Sequence, residues 1–319
     1  MSSQKQPPKK GASWKGKTRG GLLGYQIFIF VLKRLGLKVA YLLLRIVAAY
    51  FVLFAPLATR SIYHYFRQIL KYNRWKSSKS VYCNFYRFGQ TLLDKIAIIS
   101  GMDSSFSYTF DGKHHLQELS DSHQGGILIS AHLGNWEIAG FFLKDVNLKV
   151  NIVMLEAEHE KIKNYLGQVM HNQNVHVIPI KEDLSHIFLI NKALRNKEVI
   201  CMHGDRFVEG SRVAPMQFMG KKAFFPLGPF TMAAKLNVPY TFVYAVKSND
   251  HHYYLSATPL QHDKKKPMEI LQDYIDILEN KVKQSPLQWF NYYDFWSENL
   301  RGGIFEKQEH EKVANETGR

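Results

Sequence analysis

From about residue 106 onward, short apolar runs alternate with longer stretches of helical period. The run at 127–129 follows Gly125-Gly126 and is continuously apolar, the pattern of a strand buried on both faces of a parallel sheet. Strand signals recur at 149–155, 175–180, 198–203, 238–246 and 253–259, with a hairpin across 216–225. Helical periods fill 158–172, 184–196, 229–236 and 267–284 between or after them. The alternation predicts an α/β fold, a mixed sheet flanked by helices. An aromatic cluster at 287–296 is expected to pack against the N-terminal region or the floor of the active site.

The first third reads differently. Residues 22–58 form one long helical pattern in which Arg34, Lys38, Tyr41 and Arg45 fall at i, i+4, i+7 and i+11 and so share a narrow face. The rest is mostly Leu, Ile, Val, Ala, Phe and Tyr. A cationic stripe on an otherwise apolar helix is the pattern of an element lying in a membrane interface. Its longest uncharged run, 46–59, falls short of the roughly 20 residues a span requires, so a monotopic anchor is expected, with a tilted single span as the alternative. Residues 61–101 continue as helices mixing Tyr, Phe and Trp with Arg and Lys, which suits a membrane–water boundary and carries no nucleic-acid signature. The organisation expected is therefore a disordered basic arm at 1–21, a membrane-associating helical region at 22–101, an α/β domain at 102–302 and a disordered charged tail at 303–319. The arm is no signal peptide, and a chain beginning near Tyr63 is expected to leave the membrane while keeping much of the α/β core.

Charge sharpens this division. The net charge of +15 would suggest nucleic acid, but the first acidic residue in the chain is Asp94. Before it stand 17 of the 42 Lys and Arg, leaving 25 basic against 27 acidic residues from Asp94 onward. The basic character belongs to the N-terminal third, where it fits a membrane surface or an acidic protein partner. Cys83 and Cys201 form no disulfide framework or zinc motif, and Cys201 is read as a small core residue.

Candidate chemistry gathers at two strand ends. His132 follows the apolar run at 127–129, and Asn135 is placed to cap a helix beginning near Trp136. The carboxyl end of a strand in an α/β sheet is where ligands bind. Five residues separate His132 from Glu137; inside one regular helix they would point about 140° apart, so the pair meets only if His132 lies in the loop and Glu137 in the first helical turn. Glu137 would then accept from one imidazole nitrogen and leave the other as a base. Gly134 is expected to allow close approach there, and the amides of 134–136 to stabilise an oxyanion. The second block is the strand at 198–203 followed by Gly204, Asp205 and Arg206: Arg206 would bind a phosphate, and Asp205 would orient it or the base. Two other classes of function remain: a divalent-metal hydrolase using His132, Glu137, His159 and His203, whose spacings match no compact metal motif, and a non-catalytic peripheral lipid-binding protein.

The His132-x-x-x-x-Glu137 block and its surroundings resemble the bacterial lipid A late acyltransferases, within the glycerolipid acyltransferases and their H-x-x-x-x-D/E motif. Asp205-Arg206, Phe218-Met219-Gly220 and Phe225-Pro226-Leu227-Gly228 look like the family's later elements, and Phe207-Val208-Glu209-Gly210-Ser211-Arg212 resembles the F-P-E-G-T-R stretch of glycerol-phosphate acyltransferases, making Arg212 a second phosphate contact. The resemblance covers about 22–296. It implies an acyltransferase at the cytoplasmic face of the bacterial inner membrane, with an acyl carrier protein thioester as donor, a membrane lipid hydroxyl or amine as acceptor, and no cofactor or metal. One departure bears on the acceptor. Where the lipid A enzymes tend to carry a Tyr-Arg-Pro element, this chain has Glu156, Glu158 and Glu160, so Glu158 is expected at the acceptor mouth, selecting a less anionic lipid than a bis-phosphorylated glycolipid, such as an amino-acid lipid or a polyketide-like alcohol or phenol.

Overall fold

The structure is a computed structural model that describes residues 22–136, 138, 146, 148–155, 175–181, 183, 185–207, 211–263 and 265–296. The expected arm, the helix at 158–172 and the tail lie outside the described residues, as do Glu137, Glu158 and His159. In chain order the elements are α1 (Leu22–Phe54), α2 (Pro56–His64), α3 (Arg74–Ile99), β1 (Ser107–Asp111), α4 (Lys113–Ser122), β2 (Gly126–Ser130), β3 (Val150–Leu155) and β4 (Val175–Ile180). There follow α5 (Ser185–Arg195), β5 (Val199–His203), β6 (Val213–Phe218), β7 (Lys221–Pro226), α6 (Gly228–Lys235), β8 (Tyr240–Lys247), β9 (His252–Ala257) and α7 (Pro267–Gln284).

Seven strands form one mixed sheet in the order β1-β9-β8-β2-β5-β3-β4. Every pairing is parallel except β8 with β9. All five residues of β2 are buried, in keeping with its continuously apolar run at 127–129. The two-residue period of the strands sorts the core. Ile127, Ile129, Ile200, Met202 and Phe242 share one cluster with the α7 side chains Ile270, Leu271, Tyr274 and Ile275, whereas Leu128, Val150 and Cys201 face the other side with Leu116 and Leu119. α7 starts at Pro267 behind a capping box in which the Lys266 N–H donates to the Glu269 carboxylate at 2.8 Å. The expected hairpin is β6–β7, a separate two-stranded unit whose turn, Met219-Gly220, has φ of 53° and 76° as a two-residue type I′ loop requires.

The single N-terminal helix of the sequence reading is broken. Gly36, at φ 81° and ψ 177°, interrupts α1, and Pro56 starts α2 anew. α1 packs along α3 through Leu32, Leu37, Ala40, Tyr41 and Leu44, and a Cβ on Gly89 of α3 would sit 2.3 Å from the Leu44 side chain. Tyr41 leaves the proposed cationic stripe, being buried, while Arg34, Lys38 and Arg45 are exposed. The opposite face of α1 carries large apolar side chains into the open: Leu42 is 59% exposed, Ile46 69% and Leu53 73%. The helix over Gln26–Phe54, 29 residues, is by length and composition apolar enough to cross a membrane, although the uncharged run within it is too short alone.

Candidate active site

β2 ends in the core of the sheet, between β5 and β8, and delivers His132 at its carboxyl edge. The backbone just before it is tied down: the Ser130 carbonyl accepts from the Gly204 N–H and the Tyr274 hydroxyl, both at 2.9 Å. Ala131 and Leu133, on either side, are fully buried, so the loop turns on apolar anchors. The His132 carbonyl then accepts from the Phe290 N–H at 3.0 Å, which places the segment after α7 against the loop.

Asp205, two residues beyond β5, grips His132 twice. One carboxylate oxygen lies 2.8 Å from the imidazole Nδ1, and the other accepts the His132 backbone N–H at 2.9 Å. The Asp205 side chain is 2% exposed and that of His132 is 19% exposed, so the acid is sealed while the ring keeps an open edge. Burial by itself would raise the Asp205 carboxyl, but His132 and Arg206 outweigh it and hold the group well below the usual carboxylate range. Asp205 is therefore an ionised acceptor, and the neutral imidazole tautomer that donates its Nδ1–H to it keeps the lone pair on Nε2. That arrangement can remove a proton from a hydroxyl or amine.

Two further groups flank the ring. The His203 ring lies 4.3 Å from that of His132 and 4.6 Å from that of Trp136, and its Nε2 is buried without a partner in the described structure. Burial, then the neighbouring His132, pushes the His203 pKa well below the ordinary histidine value, so it is neutral. Arg206 donates through Nη2 to the Phe290 carbonyl, and that one residue thereby holds Arg206 with its C=O and His132 with its N–H. An apolar recess lies on the face of the sheet carrying Leu128, Ile152, Cys201 and Val243; Trp136, which also lines it, packs its ring 4.6 Å from that of His203.

The residues singled out in the sequence divide by this geometry. His132, Asp205 and Arg206 converge, and of the two partners open to Asp205 it is His132 that its carboxylate bonds. Gly134 and Asn135 turn toward the scaffold. The Gly134 N–H donates to the Gln288 carbonyl at 2.9 Å and the Asn135 N–H to the Ala245 carbonyl at 2.7 Å, so neither is available to an oxyanion. Close approach at Gly134 is to β8, since at φ 73° an added Cβ would stand 2.0 Å from the Ala245 oxygen. Asn135 is buried, its side-chain amide donating to the Thr91 carbonyl and to the Tyr253 hydroxyl. Arg212 is exposed at the start of the β6–β7 hairpin, its carbonyl accepting from Leu227 N–H. Cys201 is a core residue whose thiol burial pushes up to about 12. Phe290 and Gln288 carry no signal in the sequence, because their contacts to the loop are made by backbone groups from a segment distant in the chain, which no local pattern marks.

Among curated proteins no sequence matches this chain. The family model described as bacterial lipid A biosynthesis acyltransferase matches residues 23–296, spanning α1, the whole sheet and the segment that holds His132. The chain belongs to that family and is an acyltransferase acting on lipid.

Proposed function

We propose that the protein moves a fatty acyl chain from an acyl carrier protein thioester to a hydroxyl or amine of a membrane lipid, with His132 as general base. The observation that carries this reading is the double grip of Asp205 on His132, which engages the ring through Nδ1 and leaves Nε2 for a substrate proton. The acceptor gives its proton to Nε2 as its oxygen or nitrogen attacks the thioester carbonyl. The tetrahedral intermediate collapses with cleavage of the carbon–sulfur bond, and the departing thiolate takes the proton from the imidazolium. No covalent enzyme intermediate is required. In this reading the apolar recess beyond Trp136 is where the acyl chain begins to be buried, each methylene contributing about 0.8 kcal/mol. Glu137 is retained as a second carboxylate of the site, Gly134 and Asn135 hold the loop, and Arg206 and Arg212 are cationic contacts for substrate.

The exposed apolar face of α1, with Arg34, Lys38 and Arg45 on its flank, supports attachment to an anionic leaflet, and the cytoplasmic face of the inner membrane follows from the donor. Glu158, in the acidic stretch after β3, would disfavour a bis-phosphorylated acceptor. The test is transfer from acyl carrier protein charged with a labelled fatty acid, with lipid A precursor and native lipid extract in competition. His132→Ala is expected to lower turnover by about 10² to 10⁴, the worth of a general base. Turnover near wild type in that variant rules out the base, and preference for lipid A precursor, unchanged in Glu158→Gln, rules out the acidic selection.

A further inference from the structure

A set of buried polar groups that take no part in the chemistry lies behind the catalytic loop. Asp94 of α3 and Lys247, the last residue of β8, form an ion pair whose side chains are 0% and 1% exposed. The same Asp94 carboxylate accepts from the hydroxyls of Tyr41 on α1 and Tyr253 on β9, and the Lys247 amine also donates to the Tyr41 hydroxyl at 2.7 Å. Burial disfavours both charges, raising the Asp94 carboxyl and lowering the Lys247 amine. Well-packed apolar residues could join α1 and α3 to the sheet without that desolvation. They could not continue the connection further.

The continuation runs along two lines. The Tyr253 hydroxyl, donating to Asp94, accepts from the Asn135 side-chain amide at 3.3 Å, and that amide also holds the Thr91 carbonyl of α3 at 3.0 Å. The Lys247 peptide is clasped by the Gln288 side chain, N–H to Oε1 and Nε2 to C=O, both at 2.8 Å, while the Gln288 carbonyl takes the Gly134 N–H at 2.9 Å. Both lines leave one ion pair and end at Gly134 and Asn135, two and three residues after His132.

We infer that Asp94, Lys247, Tyr253 and Gln288 are positioning residues for the base: they fix the loop from behind so that His132 stays in register with both oxygens of Asp205. The inference rests on the reading of His132 as general base. It also explains why a carboxylate is placed where α1 meets the sheet, since Tyr41 registers the seating of α1 on the same group that fixes the loop.

Tyr253→Phe removes the hydroxyl that joins Asp94 to Asn135 and keeps the ring, whereas Tyr41→Phe removes a hydroxyl on the same carboxylate that bonds Lys247 and the Asp250 carbonyl but no group of the His132 loop. Both are made in the full-length protein and assayed in detergent micelles with palmitoyl acyl carrier protein and native lipid extract, alongside thermal melting. The two variants are expected to lose similar thermal stability. Tyr253→Phe is expected to lower kcat about 10- to 100-fold, the effect of a small displacement of a reacting group, with KM for the thioester within about two-fold. Tyr41→Phe is expected to keep the wild-type kcat. Gln288→Met, which cuts the second line, repeats the test and should behave as Tyr253→Phe. Equal kcat in the Tyr253 and Tyr41 variants, whether normal or lowered in both, overturns the positioning role. An active His132→Ala would remove the underlying base instead, so the two failures are distinguishable.

Discussion

Asp205→Asn tests the centre of the mechanism, and its effect follows from counting hydrogen atoms. Asp205 accepts two N–H groups of one residue, the His132 ring at Nδ1 and the His132 backbone. An asparagine amide offers one acceptor and one donor in the same plane. If its oxygen faces the ring, its NH₂ opposes the backbone N–H; if its NH₂ faces the ring, Nδ1 must become the acceptor and the proton moves to Nε2, which can then no longer act as a base. The carboxylate charge that stabilises the developing imidazolium is lost in both cases. Two unit charges about 4 Å apart at an effective dielectric near 20 interact by about 4 kcal/mol. At about 1.4 kcal/mol per decade that is a loss of roughly 10³ in kcat, with little change in KM because the acyl chain and carrier contacts are untouched. The assay is single-turnover transfer of a labelled acyl chain, with a melting curve and circular dichroism to show that the variant folds. Glu137→Gln, measured beside it, is expected to cost less, because Nδ1 is already engaged by Asp205. A folded Asp205→Asn enzyme within ten-fold of wild type would refute the reasoning.

Two further outcomes can be checked with folding and membrane assays. His203 is held neutral in the folded chain by burial and by His132, but it protonates near pH 6.5 once unfolded. The unfolded state therefore binds more protons below about pH 6.5, and stability falls as pH drops through that range; His203→Phe should flatten the loss of melting temperature between pH 7.5 and 5.5, and an unchanged slope would show that another group titrates. On α1, Ile46→Glu with Leu53→Glu changes side chains that are 69% and 73% exposed, so the melting temperature should hold while the protein shifts to the soluble fraction in vesicle flotation. Each lost apolar contact with lipid weakens binding by about 1.5 to 3 kcal/mol, and high salt alone should not release the wild type.

What the sequence revealed depended on whether the deciding interaction was local. β2, β5 and the β6–β7 hairpin were legible because continuous burial or two-residue alternation writes itself directly into residue type. His132 and Asp205 were legible as strand-end residues, but their bond joins positions 73 apart and depends on β2 and β5 being neighbours, an adjacency that composition does not state. Gly134 was legible as a glycine needed for close approach, yet its neighbour is β8. Asp94 was visible as the first acidic residue of the chain, a feature that served only to divide the charge. Its partner Lys247 ends an apolar strand, and a lone basic residue there is the signal that could have raised the question of a buried pair.

That pair changes how the N-terminal region relates to the rest. The basic, aromatic composition of 22–101 suggests a separable anchor, whose deletion up to Tyr63 would release the chain from the membrane and leave much of the α/β core intact. In the fold, α1 covers Leu93, Ile96 and Ala97 of α3 and lies in one apolar cluster with Ala245, Tyr253 and Leu255 of the sheet. Removing it would uncover that cluster and take away the Tyr41 hydroxyl, leaving the Asp94–Lys247 pair open on one side. Breaking up a buried pair typically costs about 3 to 5 kcal/mol, and exposing several apolar side chains adds to it, against a total stability of about 5 to 15 kcal/mol. A chain starting at Tyr63 is thus expected to melt well below the full-length protein or to aggregate. Its loss of activity would say nothing about the membrane. The Glu substitutions at Ile46 and Leu53 act on the opposite face of the same helix and leave the pair closed, so they are the perturbation that separates attachment from catalysis. If the shortened chain instead keeps the full-length melting temperature, α1 is an appendage and the buried pair holds the sheet and α3 together without it.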